Sequence, residues 1–200
     1  FENAYPLDSE GRCRACRAGL RPFDEVFCCG PYEGSLRELV HLFKYGRLDA
    51  LAKPLGKRLA DALPAAREFD RVVPVPLHWR RRWRRGFNQS GLLAGEIARR
   101  RSIRLLHALR RGRPTPTQAG LSNSARRSNV AGAFALRRGA RVSGLRLLLV
   151  DDVVTTGATA AACAAVLKRA GAASVVLLAL ARVDRRTGPP QILAAARGAA

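Results

Sequence analysis

Methionine is absent from all 200 residues, including position 1. A translated chain normally begins with methionine, so we expect this sequence to lack its native N-terminus. No run of about 18 uncharged apolar residues occurs, which predicts no membrane span. There is also no charged-then-apolar signal pattern at the start. Five cysteines, an odd number, do not suit a disulfide scaffold, and we predict a cytoplasmic protein.

Acidic residues are scarce after position 70. Residues 71–200 hold 25 Lys and Arg against 4 Asp and Glu, whereas residues 1–70 hold 11 of each, so the later region supplies the whole net charge of +21. Such a region attracts polyanions, either nucleic acid or a phosphorylated small molecule. A solvated basic surface is the alternative explanation. The 48% of hydrophobic residues suffices for a core and excludes wholesale disorder.

Strand and helix patterns alternate along the chain, which predicts an α/β fold. Ser35 and Glu38 match a capping box at the start of the first helix, and Asn88 is the expected N-cap of the third. The predicted strands cover 26–33, 71–77, 103–111, 146–152 and 174–183. The predicted helices begin at 35, 50, 88 and 158.

The most informative motif is LLLVDDVVTTGAT at 147–159. Asp151 and Asp152 end a buried strand, which is where open α/β sheets bind ligands. The loop then enters a helix N-terminus, where N–H groups and the helix dipole favour a phosphate. Adjacent carboxylates suit ribose hydroxyls and support Mg²⁺ through water. The alternative is a strand capped by Asp with an ordinary turn.

A second motif, VVPVPLHWRRRWRRGFNQS at 72–90, joins an apolar strand to an arginine-rich loop. Arginines bind phosphate oxygens in pairs, and Gly86 permits a sharp turn. Trp79 and Trp83 suit stacking on the bases of single-stranded nucleic acid. The alternative is a solvated loop whose tryptophans pack on the protein. The arginines of this loop are Arg80, Arg81, Arg82, Arg84 and Arg85.

The 147–159 motif resembles the phosphoribosyl-pyrophosphate (PRPP) motif of type I phosphoribosyltransferases. Together with GFNQ, TPTQAGLSNSARRSNVAGAF at 115–134 and YEGSLRELVHLFKYGR at 32–47, it resembles the ComF family. The resemblance implies a type I phosphoribosyltransferase-like, twisted and mainly parallel sheet flanked by helices. It also implies a small N-terminal subdomain, a partial zinc ribbon, at 1–30, the phosphoribosyltransferase-like domain at 31–190 and a tail at 191–200.

The resemblance also implies roles for individual residues. Asp151 and Asp152 would hold the ribose and Mg²⁺ of PRPP. The 5′-phosphate would contact Val153, Val154, Thr155, Thr156, Gly157, Ala158 and Thr159. The pyrophosphate would contact Arg81, Arg85, Gly86 and Arg126. Gln118 and Asn129 would lie near the same site.

Two functional classes follow from the resemblance. The first is a PRPP-binding protein of natural competence and DNA uptake, with Mg²⁺-dependent phosphoribosyl transfer as its activity. The alternative is a non-catalytic accessory protein with a vestigial PRPP pocket that binds single-stranded DNA or a competence helicase. The residues identify neither an acceptor nor a general base.

Cys13 and Cys16 form a Cys-x-x-Cys pair, half of the four ligands of a structural zinc site. ComF-type proteins often carry two such pairs, and only one is present here. Cys28 and Cys29 are the local candidates for completing the site, but neighbours on a strand point to opposite faces. We therefore expect an incomplete site. Lys44 has the ordinary position of a cation at a helix end, and Cys163 suits packing.

Overall fold

The structure, a computed structural model, describes residues 22–46, 48–77, 86–112 and 132–183. Its elements alternate as the sequence predicts and form an α/β fold. The strands are β1 (Glu25–Pro31), β2 (Arg71–Pro74), β3 (Arg104–Leu105), β4 (Leu109–Arg111), β5 (Phe134–Leu136), β6 (Arg146–Val154) and β7 (Ser174–Arg182). The helices are α1 (Gly34–Tyr45), α2 (Ala52–Asp61), α3 (Gln89–Arg100) and α4 (Ala158–Arg169), with a 3₁₀ turn at Asp49–Leu51 before α2.

Five strands form one sheet in the order β1-β7-β6-β2-β3, and every pairing in it is parallel. The central strand is β6, whose Leu148 is paired with Val72 of β2 and Val176 of β7. Parallel sheets are covered on both faces, so their inner strands are apolar almost throughout. This explains why the uninterrupted apolar runs of β6 and β7 were recognisable from sequence.

Alternate side chains of the central strand pack into two separate cores. Leu147 and Leu149 contact the core that includes α4 and the β4–β5 pair. Leu148 and Val150 contact the core beneath α1, α2 and α3. Because successive side chains of a strand point to opposite faces, one run of leucines holds a helical layer on each side of the sheet. The carboxyl end of β6 therefore projects between two fixed layers.

The predicted strand at 103–111 is two strands in the structure. The N–H of Leu106 still donates to the carbonyl of Val72 (2.8 Å), but the chain then turns, with the N–H of Ala108 donating to the carbonyl of Leu106 (2.9 Å). After the turn, β4 pairs with β5 in a separate antiparallel sheet. Buried Leu109 and Phe134 pack this pair against the α4 side of the molecule. The sequence did not indicate the division because the apolar pattern continues through the turn.

The predicted capping box at the first helix is wrong. The N-cap residue of α1 is Glu33, and no side chain caps the helix there. The helix therefore begins one residue earlier than Ser35, at Gly34, whose left-handed backbone (φ +47°) joins the extended Glu33 to the helix. Asn88 is the N-cap residue of α3 as predicted, but its side chain makes no capping bond.

The two adjacent cysteines on β1 face opposite sides of the sheet, as expected. Cys28 packs against the α4-side core and Cys29 against the core beneath α1, α2 and α3. The segments 1–21, 78–85, 113–131 and 184–200, together with residue 47, lie outside the described residues. These include Cys13, Cys16, Arg81, Arg85 and Arg126, as well as the expected tail at 191–200. In the described part of the chain, no helix is long and apolar enough to cross a membrane.

Candidate functional site

A cavity of about 290 Å³ opens at the carboxyl ends of β2 and β6. Its floor is the segment that runs from Asp151 through the turn into the start of α4. Residues from α1, the end of β2, the start of α3 and the tip of β4 form its walls. The lining residues outside the β6–α4 segment are Tyr32, Lys44, Tyr45, Val75, Pro76, Leu77, Asn88, Gln89, Ser90 and Arg111.

The side chain of Asp151 is held by two donors at one oxygen. The hydroxyl of Ser90 donates to its Oδ1 (3.1 Å), and so does the backbone N–H of Asp152 (2.9 Å). Burial raises the pKa of Asp151 to about 7, and the neighbouring charge of Asp152 contributes to the rise. The two donors and the charge of Lys44 lower the pKa, but by less than burial and Asp152 raise it. Asp151 is therefore an oriented carboxyl whose negative charge is poorly compensated in the structure.

Asp152 is paired with a lysine from a different part of the chain. The Nζ of Lys44, in the last turn of α1, lies 3.1 Å from the Oδ1 of Asp152. The two side chains are 16% and 15% exposed, so the pair is largely shielded from water. The position of Lys44 at a helix end suggested an ordinary surface cation. The fold instead brings it to the acidic pair.

The turn after β6 leads directly into α4. Thr156 Oγ1 accepts a hydrogen bond from the N–H of Ala158 (3.1 Å), which closes the turn. Gly157 is the N-cap residue and has a left-handed backbone with φ of +71°, a conformation that favours glycine. Gly157, Ala158 and Thr159 line the cavity, so the positive end of the α4 dipole faces it,.

The GFNQS segment at 86–90 joins three elements around the cavity. Asn88 Nδ2 donates to the carbonyl of Val75 at the end of β2 (3.2 Å). Buried Gln89 donates through Nε2 to the carbonyl of Phe43 on α1 (3.4 Å). Ser90 contacts β6, as described above. These polar side chains therefore fix the relative positions of α1, β2, α3 and β6, which explains why the motif is rich in amides.

Arg111 forms part of the wall that comes from the small antiparallel sheet. Its guanidinium carbon lies 5.2 Å from the ring centroid of Phe134, a cation–π arrangement that orients the side chain,. With Lys44 it supplies the positive charge among the described lining residues, and Asp151 and Asp152 supply the negative charge. The cavity therefore combines cationic and anionic groups within a small volume.

The structure brings most of the predicted residues of the β6–α4 segment together at the cavity. Asp151 to Thr155 and Gly157 to Thr159 line it, and Thr156 acts within the turn. Gly86 has a left-handed backbone (φ +83°) and is not among the lining residues. Arg81, Arg85 and Arg126 are outside the described residues. Sequence reasoning missed Tyr32, Lys44, Ser90 and Arg111, although the proximity of Ser90 to GFNQ was an available signal.

The acidic pair fits Mg²⁺ when the ion arrives with a phosphorylated ligand. Mg²⁺ typically takes one or two carboxylates from the protein, completed by water and substrate phosphates. Asp151 and Asp152 supply that number of carboxylates. Among the described residues, no group of three or more His, Cys, Asp or Glu side chains could hold a metal ion without such a ligand.

A sequence profile of the phosphoribosyl transferase domain matches residues 89–195, from the start of α3 past the end of β7. The chain belongs to this phosphoribosyl transferase family. The matched region contains Ser90, the acidic pair and the α4 N-terminus. The family assignment therefore includes the floor of the cavity and the start of α3, which positions Asp151.

Relatives among characterised proteins confirm the resemblance to the ComF family. The chain is 38% identical over 147 residues to the DNA utilization protein YhgH of Escherichia coli, which covers 70% of this chain and 64% of that protein. It is 32% identical over 131 residues to competence protein F of Haemophilus influenzae, covering 62% and 57% respectively. The chain thus spans less than two thirds of the length of these relatives.

Comparison with solved structures gives matches of low overall similarity. The allosteric regulatory enzyme of purine biosynthesis is 29% identical, covering 64% of this chain and 25% of that enzyme, with a TM-score of 0.46. This overall similarity is low, and the family assignment depends on the domain profile and the relatives above.

Proposed function

We propose that this chain binds PRPP with Mg²⁺ in the cavity at the carboxyl ends of β2 and β6. The observation that carries the proposal is the continuous path from the acidic pair to the α4 N-terminus. Asp151 and Asp152 offer acceptors for two ribose hydroxyls, and the N-terminus of α4, whose N-cap residue Gly157 lines the cavity, favours the 5′-phosphate,. One short segment thus brings acceptors for hydroxyl groups and a helix N-terminus that favours phosphate to the same cavity,.

We further propose that the bound PRPP is a donor for phosphoribosyl transfer. In this reaction pyrophosphate leaves the anomeric carbon and a nucleophile of the acceptor takes its place. The chemistry requires positioning and stabilisation of the leaving charge more than a nucleophile from the protein. Ser90 orients Asp151, while Lys44 and Arg111 supply positive charge on the walls. Bound Mg²⁺ would neutralise charge on the pyrophosphate oxygens.

The proposed biological setting is DNA uptake in natural transformation. Its support is the similarity to a DNA utilization protein and to a competence protein. The strongly basic composition of residues 71–200 suits a cytoplasmic protein that works beside single-stranded DNA or a competence helicase.

Calorimetric titration with PRPP and Mg²⁺ tests the binding proposal. We expect wild-type protein to bind and Asp151→Asn/Asp152→Asn to bind at least about 100-fold more weakly, because each hydrogen bond to a charged group contributes about 1.5–3 kcal/mol. The charge-matched control is Asp49→Asn/Asp61→Asn, which removes two exposed carboxylates outside the cavity. Wild-type affinity in the control is expected. Absence of binding by folded wild-type protein would refute the proposal.

The second candidate is a non-catalytic DNA-binding accessory protein, favoured by the net charge of +21. For this function we expect the affinity for single-stranded DNA to fall steeply as the salt concentration rises. Both double variants should bind DNA like wild type, because neither loses a positive charge. Salt-independent or undetectable DNA binding would contradict this candidate. Release of pyrophosphate in the presence of an acceptor would distinguish the enzyme from the accessory protein.

A further inference from the structure

Lys44 forms an ion pair with Asp152, one of the two carboxylates that the proposed function assigns to the ribose and Mg²⁺. Lys44 Nζ and Asp152 Oδ1 lie 3.1 Å apart, closer than a layer of water would permit. Both residues line the cavity. The side chains are about 85% shielded, since 16% and 15% of their areas are exposed, so their attraction is screened less than that of a surface pair.

The formal charges on the cavity walls also oppose a free cation. The described lining residues include two carboxylates, Asp151 and Asp152, and two cations, Lys44 and Arg111. With all four ionised their sum is zero. A divalent cation entering alone thus finds no net negative charge, and it must compete with Lys44 for Asp152. An anion that arrives with the cation changes this balance, because it offers Lys44 a new partner.

We propose that Lys44 excludes free divalent cations from the acidic pair and admits them only together with a pyrophosphate group. In the absence of ligand, the ammonium group neutralises Asp152. When a metal–pyrophosphate complex enters, the ammonium group leaves Asp152 and binds the anion, and the cation takes over the neutralisation of the carboxylate. This inference refines the proposed PRPP site, and its first part can be tested without PRPP.

The chain contains a matched control for this ion pair. Lys57 Nζ and Asp61 Oδ2 lie 2.8 Å apart on α2, with exposures of 63% and 61%. This second pair has the same chemistry and a similar distance, but it is open to water and outside the cavity. A mutation of Lys57 therefore reproduces the change in charge at an exposed pair that has no role in the site.

The experiment measures binding of Mn²⁺ alone by the loss of its free paramagnetic resonance signal. Mn²⁺ prefers the same oxygen ligands as Mg²⁺. We expect Lys44→Met to bind Mn²⁺ about tenfold more tightly than wild type, the effect of removing one partly shielded positive charge beside the carboxylates. Lys44→Arg and Lys57→Met should match wild type. The gain should disappear in Lys44→Met/Asp152→Asn, which locates the cation at the acidic pair.

Inorganic pyrophosphate tests the second part of the proposal. Equilibrium dialysis measures this part, because pyrophosphate alone also complexes Mn²⁺ and removes its free signal. At equal free Mn²⁺, wild-type protein is expected to retain more Mn²⁺ when pyrophosphate is added, and Lys44→Met should lose most of this enhancement. Thermal melting checks that each variant is folded, and Lys44→Gln replaces Lys44→Met if the latter is not. Unchanged Mn²⁺ affinity in folded Lys44 variants, or an equal gain in Lys57→Met, would overturn the proposal.

The result separates this inference from the proposed function. A tenfold gain in Mn²⁺ affinity for Lys44→Met supports the exclusion of free cations even if PRPP does not bind to wild type. Conversely, PRPP binding with unchanged Mn²⁺ affinity in the Lys44 variants supports the proposed function and rejects the role of Lys44.

Discussion

The contact between α2 and α3 at Gly56 predicts an unusual response to alanine. A Cβ atom added at Gly56 would lie 2.4 Å from the Cβ and 3.1 Å from the Cγ of Glu96. The nearer atom is fixed to the α3 backbone, so a change of rotamer cannot relieve the clash. The helices must separate, and α3 carries Asn88, Gln89 and Ser90 at its start, the residues that position the site.

The expected destabilisation follows from two opposing effects. Overpacking a tight contact typically costs about 1–3 kcal/mol, and a separation this short should lie near the upper end. Alanine in place of glycine inside a helix stabilises the helix by at most about 1 kcal/mol. We therefore expect Gly56→Ala to lower the free energy of unfolding by about 1–2 kcal/mol. Urea denaturation, followed by circular dichroism, measures this value.

Gly95→Ala is the matched control, because Gly95 lies inside α3 and a Cβ there would meet nothing within 4 Å. Only the gain in helix propensity remains, so stability should rise by about 0.5–1 kcal/mol. The two glycine-to-alanine changes are thus expected to have opposite signs. Stabilisation by Gly56→Ala, or equal effects of the two substitutions, would refute the inferred close packing.

Two further predictions concern partly buried titratable groups. Ser90→Ala removes a hydroxyl that stabilises the charged form of Asp151, so the pKa of Asp151 should rise above its value of about 7,. Carbon-13 NMR of the carboxyl group measures this pKa. An unchanged or lower value would contradict the contact. Burial raises the pKa of Cys28 to about 12 and that of Cys29 to about 11, so both thiols should react slowly with iodoacetamide at neutral pH in the folded protein and readily in urea. Mass spectrometry gives the two rates, and equal labelling in both conditions would contradict the burial.

Sequence patterns predicted the fold class and the order of residues at the centre of the candidate site because their signals are local. The apolar run before Asp151 forms β6, the acidic pair follows it at the strand end, and Gly157 begins α4. Because these signals are local, the predicted single strand at 103–111 and the predicted helix start at Ser35 were wrong. A turn and a helix start depend on hydrogen bonds with distant strands and on backbone angles, which periodicity does not report.

The sequence by itself determined that an apolar strand delivers two carboxylates and a glycine turn to a helix N-terminus, since these residues are consecutive. Only the tertiary structure decided what faces them. Lys44 meets Asp152 across 108 positions and Ser90 meets Asp151 across 61, because the order β1-β7-β6-β2-β3 and the packing of α1 and α3 on one face bring these ends together. The charge balance of the cavity is therefore a property of chain topology, which no short motif encodes.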